Sequence, residues 1–95
     1  MIESRTGGRF RRLLVALPDD VRREAYKAYR LFRRDPAHPS IQFKEVDSKH
    51  GIWSARVTQN YRALGQRHGN QITWIWIGTH REYLSRIGKQ YYPQQ

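Results

Sequence analysis

Apolar residues in the first third of the chain recur at helical spacing and predict two amphipathic helices. The first helix is predicted over residues 5–17, and its apolar stripe consists of Phe10, Leu13, Leu14 and Leu17. The second is predicted over residues 19–34, and its apolar face consists of Val21, Ala25, Ala28, Tyr29 and Phe32. Asp35 and Pro36 end it, because the residue before a proline disfavours helical geometry. The two helices are expected to form a hairpin with an apolar inner face.

From residue 41 onward the pattern changes to alternation and predicts four short strands. These strands span residues 41–46, 52–58, 60–67 and 71–77. Residues 47–51 form the first turn, and Gly69 with Asn70 forms a two-residue turn between the last two strands. The predicted fold class is therefore α+β, with an N-terminal helical hairpin packed on one face of a four-stranded, mainly antiparallel sheet.

Matching the apolar positions of neighbouring strands predicts the register of the sheet. The apolar pairs of the second and third strands are Trp53 with Gly65, Ala55 with Ala63, and Val57 with Tyr61. The pairs of the third and fourth strands are Gly65 with Trp74, Ala63 with Trp76, and Arg62 with Ile77. This register turns all three tryptophans towards the helices. On the opposite face it pairs Arg56 with Arg62, with His80 a few residues beyond the last strand.

The charge of the chain indicates that this small protein attracts anions. Eighteen basic residues against eight acidic ones give a formal charge of +10, and all but four of the basic residues are arginine. Arginine presents a planar fork that suits phosphate. Such a field attracts nucleic acid, an anionic membrane or an acidic protein. The alternative is a solvated basic surface that serves solubility.

The composition also bounds the organisation of the chain. Its 95 residues predict a single domain over residues 1–95, with the polar, aromatic segment 88–95 as a flexible tail. There is no cysteine, so disulfides, thiolate metal sites and cysteine nucleophiles are excluded. No apolar run approaches the roughly 20 residues that span a membrane, and no signal-peptide apolar region is present. The protein is expected to be cytoplasmic and to have no membrane partner.

The opposed arginines and the histidine beside them are the main candidates for chemistry. Two arginines facing each other on a sheet repel, and a bound phosphate would relieve that repulsion. Histidine moves protons near neutral pH, so His80 is a candidate general base. The alternatives are a solvated arginine pair and a structural histidine. Tyr83 is a candidate for base stacking, phosphate binding or proton transfer, or else for packing at the sheet edge.

Other common site chemistries find no support in the sequence. His38, His50 and His68 do not have the spacing of metal ligands, and no carboxylate pair suggests magnesium-dependent hydrolysis. No Gly-rich phosphate loop is present. No metal or other cofactor is therefore expected.

Three short motifs resemble the RelE/ParE toxin superfamily of bacterial type II toxin–antitoxin systems. They are Trp53-Ser-Ala-Arg56-Val, Asn60-Tyr61-Arg62-Ala-Leu, and Trp76-Ile-Gly78-Thr79-His80-Arg-Glu-Tyr83. The resemblance implies helices on one face of the sheet and a basic concave face opposite. RelE-like members cut mRNA without metal, commonly on the ribosome, by attack of the ribose 2′-hydroxyl on the adjacent phosphate.

The resemblance also implies roles for individual residues. Arg62 matches the family arginine that stabilises the phosphate. His80 matches a catalytic position after the last strand, and Tyr83 matches a C-terminal aromatic. With these three as catalytic candidates, Arg56, Lys44 and Arg81 are candidates for phosphate binding.

This chain departs from the family pattern in two places. Some RelE members carry lysines on the second strand, where this sequence has Trp53, Ser54 and Ala55, so Arg56 would have to compensate. The strand that usually precedes the helices is reduced to residues 1–4.

Three functions are consistent with these features of the sequence. The first is an endoribonuclease toxin, or mRNA interferase, that uses the residues above. The second is a ParE-like toxin that inhibits DNA gyrase and has no nuclease activity. The third is a non-catalytic basic module that binds nucleic acid. For a toxin, the expected partner is an acidic antitoxin that folds on the basic surface.

Overall fold

A computed structural model describes residues 2–85 of the chain, so the predicted tail at residues 88–95 lies outside the described residues. Its elements follow the order strand, two helices, four strands and a short helix. They are β1 (Glu3–Thr6), α1 (Gly8–Val15), α2 (Asp19–Arg34), β2 (Lys44–Asp47), β3 (Ile52–Thr58), β4 (Tyr61–His68), β5 (Gln71–Thr79) and α3 (His80–Ser85). The α+β prediction is confirmed, with both long helices packed on one face of a sheet.

The sheet has five strands where the sequence pattern predicted four. Their order is β1-β5-β4-β3-β2, with β1 parallel to β5 and the other neighbours antiparallel. The extra strand is β1, which has no apolar alternation to reveal it. Its inward residue is Ser4, whose hydroxyl accepts a hydrogen bond from Trp74 Nε1 at 3.0 Å and donates one to the Tyr29 hydroxyl at 2.9 Å.

The helices agree with the sequence pattern at three of their four ends. α2 has the predicted bounds, and its end coincides with the Asp35 and Pro36 pair. α1 begins at Gly8 because the preceding residues belong to β1, and it ends near the predicted position, before Pro18. None of the helices within residues 2–85 is long and apolar enough to cross a membrane.

The strands differ from the prediction mainly at the edge of the sheet. β3 has the predicted bounds, but β2 begins at Lys44 and not at Ile41. Ile41 lies in a turn, where its carbonyl accepts a hydrogen bond from the Arg56 N–H at 2.6 Å. The following residue, Gln42, has a φ of 50°, which is incompatible with an extended strand.

The register of β3, β4 and β5 is as predicted at the centre of the sheet and shifts at two bulges within these three strands. The confirmed pairs are Trp53 with Gly65, Ala55 with Ala63, Arg56 with Arg62, and Gly65 with Trp74. The predicted pairs of Val57 with Tyr61, Ala63 with Trp76 and Arg62 with Ile77 are wrong. The observed pairs are Thr58 with Tyr61, Ala63 with Ile77, Leu64 with Trp76, and Arg62 with Gly78. Each bulge inserts one residue into a strand, namely Val57 in β3 and Ile75 in β5.

The β5 bulge divides the apolar residues between the two faces of the sheet. Trp74 stays in the core under the helices, which also contains the buried residues Phe10, Ala25, Phe32, Ile41, Ala55, Ala63, Ile72 and Ile77. Trp76 is turned to the other face, and the prediction that it packs on the helices is wrong. There it forms the open-face cluster, which consists of Ile52, Leu64, Trp76 and Tyr83. The face without α1 and α2 therefore has a small core of its own.

Candidate functional site

Arg62 lies half-buried on the open face, near the turn that joins β3 to β4. Its Nη1 donates hydrogen bonds to the carbonyl oxygens of Thr58 at 2.8 Å and Tyr61 at 3.0 Å. Burial lowers the pKa of Arg62 below its ordinary value, and the positive charge of Arg56 lowers it further. The guanidinium is therefore oriented by backbone carbonyls, with its charge less solvated than on a free surface.

Arg56 faces Arg62 across the β3–β4 pair, as the sequence predicts. It is half-buried, and its backbone is fixed by the bond to Ile41. Within residues 2–85, neither arginine forms an ion pair with a carboxylate. Two adjacent guanidinium groups without a carboxylate partner form an electropositive site that an anion would stabilise.

His80 is the first residue of α3 and lies directly after β5. Its backbone N–H donates a hydrogen bond to the Asn60 carbonyl at 2.6 Å, which ties the start of α3 to the same β3–β4 turn that holds Arg62. The imidazole is half-buried and stacks on the Tyr83 ring, with 5.7 Å between ring centroids and 20° between planes. The ring is thus held by packing at the edge of the open-face cluster.

Tyr83 is buried, with 5% of its surface exposed, and its hydroxyl donates a hydrogen bond to Ser54 Oγ at 3.4 Å. This placement matches the packing role given as an alternative in the sequence analysis. The phenol oxygen points into the sheet, while one face of the ring supports His80. Tyr83 therefore connects the histidine to the open-face cluster, of which it is a member.

Two residues that the sequence analysis passed over fix the position of His80. The Thr79 hydroxyl accepts a hydrogen bond from the Glu82 N–H at 3.1 Å, and the Glu82 carboxylate accepts one from the Thr79 N–H at 3.0 Å. This reciprocal arrangement is a capping box, which stabilises the first turn of a helix. Its sequence signature, a threonine followed three residues later by a glutamate, is present at Thr79-His-Arg-Glu82 and would have revealed it.

The two remaining phosphate-binding candidates lie outside this cluster. Lys44 is exposed on the edge strand β2, where it pairs with Ser54. Arg81 is exposed next to His80 on α3. The structure thus pairs Arg56 with Arg62 beside the β3–β4 turn and stacks His80 on Tyr83, with the His80 N–H bonded to Asn60 of that turn. Lys44 and Arg81 are exposed and take no part in these contacts.

The other histidines form local contacts in turns. His38 Nδ1 lies 2.9 Å from the Ser40 hydroxyl, and His50 Nδ1 lies 2.6 Å from the Asp47 carboxylate. Burial alone would raise the pKa of Asp47, but hydrogen bonds from His50 and Lys49 outweigh it and hold that pKa below the ordinary 3.8. Among residues 2–85, no three His, Asp or Glu side chains are grouped as a metal site requires.

Comparison with known proteins agrees with this architecture. The family model described as the ParE-like toxin domain matches residues 19–85, which is more than half of the chain. Comparison with curated protein sequences found no significant match.

Several solved toxin structures share the fold. The RelB–RelE antitoxin–toxin complex from Methanococcus jannaschii aligns with a TM-score of 0.67 at 15% identity, covering 93% of this chain and 98% of that one. The toxin–antitoxin complex RelBE2 from Mycobacterium tuberculosis aligns with a TM-score of 0.64 at 20% identity, covering 83% and 98%. YafQ from E. coli aligns with a TM-score of 0.65 at 12% identity, covering 87% and 98%. At these identities the likeness establishes the fold.

Proposed function

Because the chain belongs to the ParE-like toxin domain family, we propose that it is the toxin of a type II toxin–antitoxin system and that it cleaves mRNA. The observation that carries the nuclease proposal is the open-face site, where Arg56 is paired with Arg62 and His80 is bonded to the same β3–β4 turn. Among the described residues 2–85 the two guanidinium groups have no carboxylate partner, which suits a phosphodiester, and a histidine near them suits proton transfer.

The proposed reaction is an internal transfer within the RNA strand and uses no metal. The ribose 2′-oxygen attacks the adjacent phosphorus, the bond from phosphorus to the 5′-oxygen breaks, and a 2′,3′-cyclic phosphate and a 5′-hydroxyl are formed. His80 accepts the proton of the 2′-hydroxyl, and a water molecule supplies the proton that the leaving 5′-oxygen takes up. The hydroxide that this leaves then takes the proton from His80. The phosphate carries extra negative charge in the transition state, and charge stabilisation of that kind is commonly a large catalytic contribution.

The geometry supports a different role for each side chain. Arg62 is oriented by the turn carbonyls and would bind a non-bridging phosphate oxygen, with Arg56 beside it. Tyr83 would act as a positioning residue that supports the imidazole, because its own hydroxyl is directed to Ser54. Lys44 and Arg81 would contribute long-range attraction for the RNA from the surrounding surface.

The antitoxin partner is proposed to be an acidic protein. The formal charge of +10 favours association with an acidic chain, and two of the similar structures are toxins in complex with RelB antitoxins. The site of action is proposed to be the cytoplasm, where mRNA and ribosomes are found.

DNA gyrase inhibition is the second candidate function. The family model is described by the name ParE, and the arginine fork of Arg62 is already engaged by backbone carbonyls, as a structural arginine would be. In that case the open-face residues would hold the fold or contact a protein. A non-catalytic nucleic-acid-binding module is the third, and it would be harmless when expressed without the antitoxin.

Inducible expression separates these functions. Wild type, Arg62→Ala and His80→Ala are induced, with Arg33→Ala as a control that removes an exposed arginine from α2. We expect growth arrest with new transcript ends for wild type and Arg33→Ala, and loss of both for the two site variants. Arrest with intact transcripts and a DNA-damage response would instead identify gyrase inhibition. Toxicity that survives both site substitutions would contradict the assigned site.

A further inference from the structure

A second basic concavity lies between α2 and β3, outside the open-face site. It is an open groove of about 610 Å³, with apolar side chains such as Leu31, Ile41 and Val57 along its floor. Four cationic residues line it, namely Lys27, Arg30, Arg34 and Arg56. The hydroxyl residues Ser40 and Thr58 are on its other side.

Three of these cations form a row along α2. Lys27, Arg30 and Arg34 follow the spacing i, i+3, i+7, which places them on one side of a helix over roughly 10 Å at 1.5 Å per residue. One carboxylate, Glu24, is among the residues of the groove, and its ion pair with Lys27 is 3.5 Å long and solvent-exposed. Such pairs contribute little, so the row keeps its capacity to bind an anion.

The edge of the sheet connects this groove to the open face. β2 pairs with β3 only at Ile52, Trp53 and Ser54, and beyond them the turn residue Ile41 accepts a hydrogen bond from the Arg56 N–H. Arg56 therefore lies where the contact of β3 with its edge neighbour ends. It lines the groove and is paired with Arg62 across β3 and β4, so the groove and the open-face site adjoin at this residue.

We propose that the α2–β3 groove binds the phosphodiester backbone of the same RNA strand that the open-face site cleaves. The proposal rests on the proposed nuclease function for the identity of the strand. Each nucleotide of the strand carries one negative phosphate, so a row of three cations over about 10 Å can contact successive phosphates. A strand that leaves the site at Arg62 passes Arg56 and continues along α2.

Several features favour a single nucleic-acid strand over an acidic peptide. The groove adjoins the proposed phosphate site at Arg56, which lines the groove and is paired with Arg62, so one strand could contact both. Arginine supplies three of its four cations and presents the fork that suits phosphate oxygens. A concavity of this volume also admits one backbone, and a duplex would have to remain outside it.

A pair of charge-matched variants tests the groove. The groove variant is Lys27→Gln/Arg30→Gln/Arg34→Gln. The control variant is Arg9→Gln/Arg12→Gln/Arg33→Gln, which removes the same charge from exposed helical positions that do not line the groove. The probe is a 2′-O-methyl oligoribonucleotide of about 12 nucleotides, within the roughly 4–16 that single-strand sites occupy. It lacks the free 2′-hydroxyl, so binding is measured without cleavage, by fluorescence anisotropy at several salt concentrations.

The groove variant is expected to bind the probe at least about tenfold more weakly than the control at roughly 0.1 M salt. The slope of log K against log salt should fall in magnitude by about 2, from three phosphate contacts at about 0.7 each. Equal affinity and equal slope for the two variants would overturn the proposal. It would also be overturned if the groove variant lost affinity only for a glutamate-rich peptide and bound the oligonucleotide as the control does.

The same proteins separate this proposal from the nuclease proposal. If wild type cuts RNA and the two variants bind the probe equally, the groove assignment fails and the nuclease assignment stands. If wild type cuts no RNA but probe binding depends on the groove cations, the nuclease assignment fails and the groove remains a nucleic-acid site. Thermal unfolding of both variants shows whether either substitution set has changed the fold.

Discussion

On each face of the sheet a tryptophan packs over a glycine, but the two tryptophans belong to different apolar clusters. On the helix side, a Cβ added to Gly65 would lie 2.8 Å from Ile72 and 2.9 Å from Trp74. On the open face, a Cβ added to Gly78 would collide with the Trp76 ring and lie 2.8 Å from the Glu82 carboxylate. The first tryptophan belongs to the main core, whereas the second belongs to the open-face cluster beside the candidate site.

The main core lies on the helix-covered face, and the proposed cleavage site lies on the open face. The helix-covered face buries most of the large apolar side chains, while the open face buries a small cluster that carries Tyr83 and, through it, His80. A single inserted residue, Ile75, makes this division by turning Trp76 away from the helices. Substitutions on the two faces should therefore separate folding from cleavage.

The largest effect on folding is expected at Phe32. Its side chain is 2% exposed and packs edge-on against Phe43 at 4.9 Å and Trp74 at 5.3 Å between ring centroids. We expect Phe32→Ala to lower the free energy of unfolding by about 3–5 kcal/mol, because it leaves a cavity in the core. Urea denaturation measures this, with Val15→Ala at a 66% exposed position as the control. A loss below about 1 kcal/mol would show that this face is not the main core.

The largest effect on cleavage is expected at Arg62. Arg62→Ala removes the group proposed to bind the phosphate and should lower the cleavage rate by roughly 10²–10³-fold. Arg62→Lys keeps the positive charge but loses the planar guanidinium fork. Its cleavage rate should therefore lie between those of wild type and Arg62→Ala. Rates are measured alongside urea denaturation of each variant. If Arg62→Ala lost stability as Phe32→Ala does and cleaved normally once folded, the assignment of function to the open face would be wrong.

The two glycines give a matched pair with a smaller effect. Gly65→Ala and Gly78→Ala each insert one methyl group beneath a tryptophan, and overpacking of this kind typically costs about 1–3 kcal/mol. Both should lower the free energy of unfolding. Only Gly78→Ala should also lower cleavage by the folded protein, because it displaces Trp76 and disturbs Glu82 of the capping box. If both substitutions lowered cleavage by the folded protein equally, the assignment of cleavage to the open face alone would be contradicted.

The smallest effect is expected in the β2–β3 turn, where Asp47 pairs with His50. The pKa of Asp47 is lowered in the folded protein, so its contribution to stability is present above the ordinary value of 3.8 and is lost as the pH falls through the lowered one. Asp47→Asn should therefore lower the unfolding temperature slightly at pH 6, with the difference from wild type shrinking as the pH falls below 3.8. A difference that stayed constant over this range would contradict the ionic origin of the contribution.

The sequence predicted the helix-covered face well because its apolar residues recur at the regular spacings of a helix and of a strand. The helical repeat gave α2 its bounds, and alternation gave the pairs of Trp53 with Gly65 and Ala55 with Ala63. The pairing of Arg56 with Arg62 follows from the same register.

The open face was predicted less well because its geometry depends on irregular features. The bulge at Ile75 interrupts the alternation of side chains between the two faces of β5. A prediction from strict alternation therefore puts Trp76 under the helices and leaves the open face without a core. β1 was nearly missed because its inward residue is a serine that bonds Trp74, and such a strand has no apolar signal. The link between His80 and Tyr83 depends on α3, whose capping box is legible in the sequence only once a helix is expected there.

The most direct test of cleavage by the ribose 2′-hydroxyl analyses the RNA products. An mRNA with a single 2′-deoxynucleotide at the position of cleavage, and its unmodified counterpart, are incubated with the protein both free and in a translating extract. Cleavage of the unmodified RNA to a 2′,3′-cyclic phosphate, and none at the deoxy position, is the predicted result. Cutting at the deoxy position, or intact mRNA together with inhibited DNA gyrase, would contradict it.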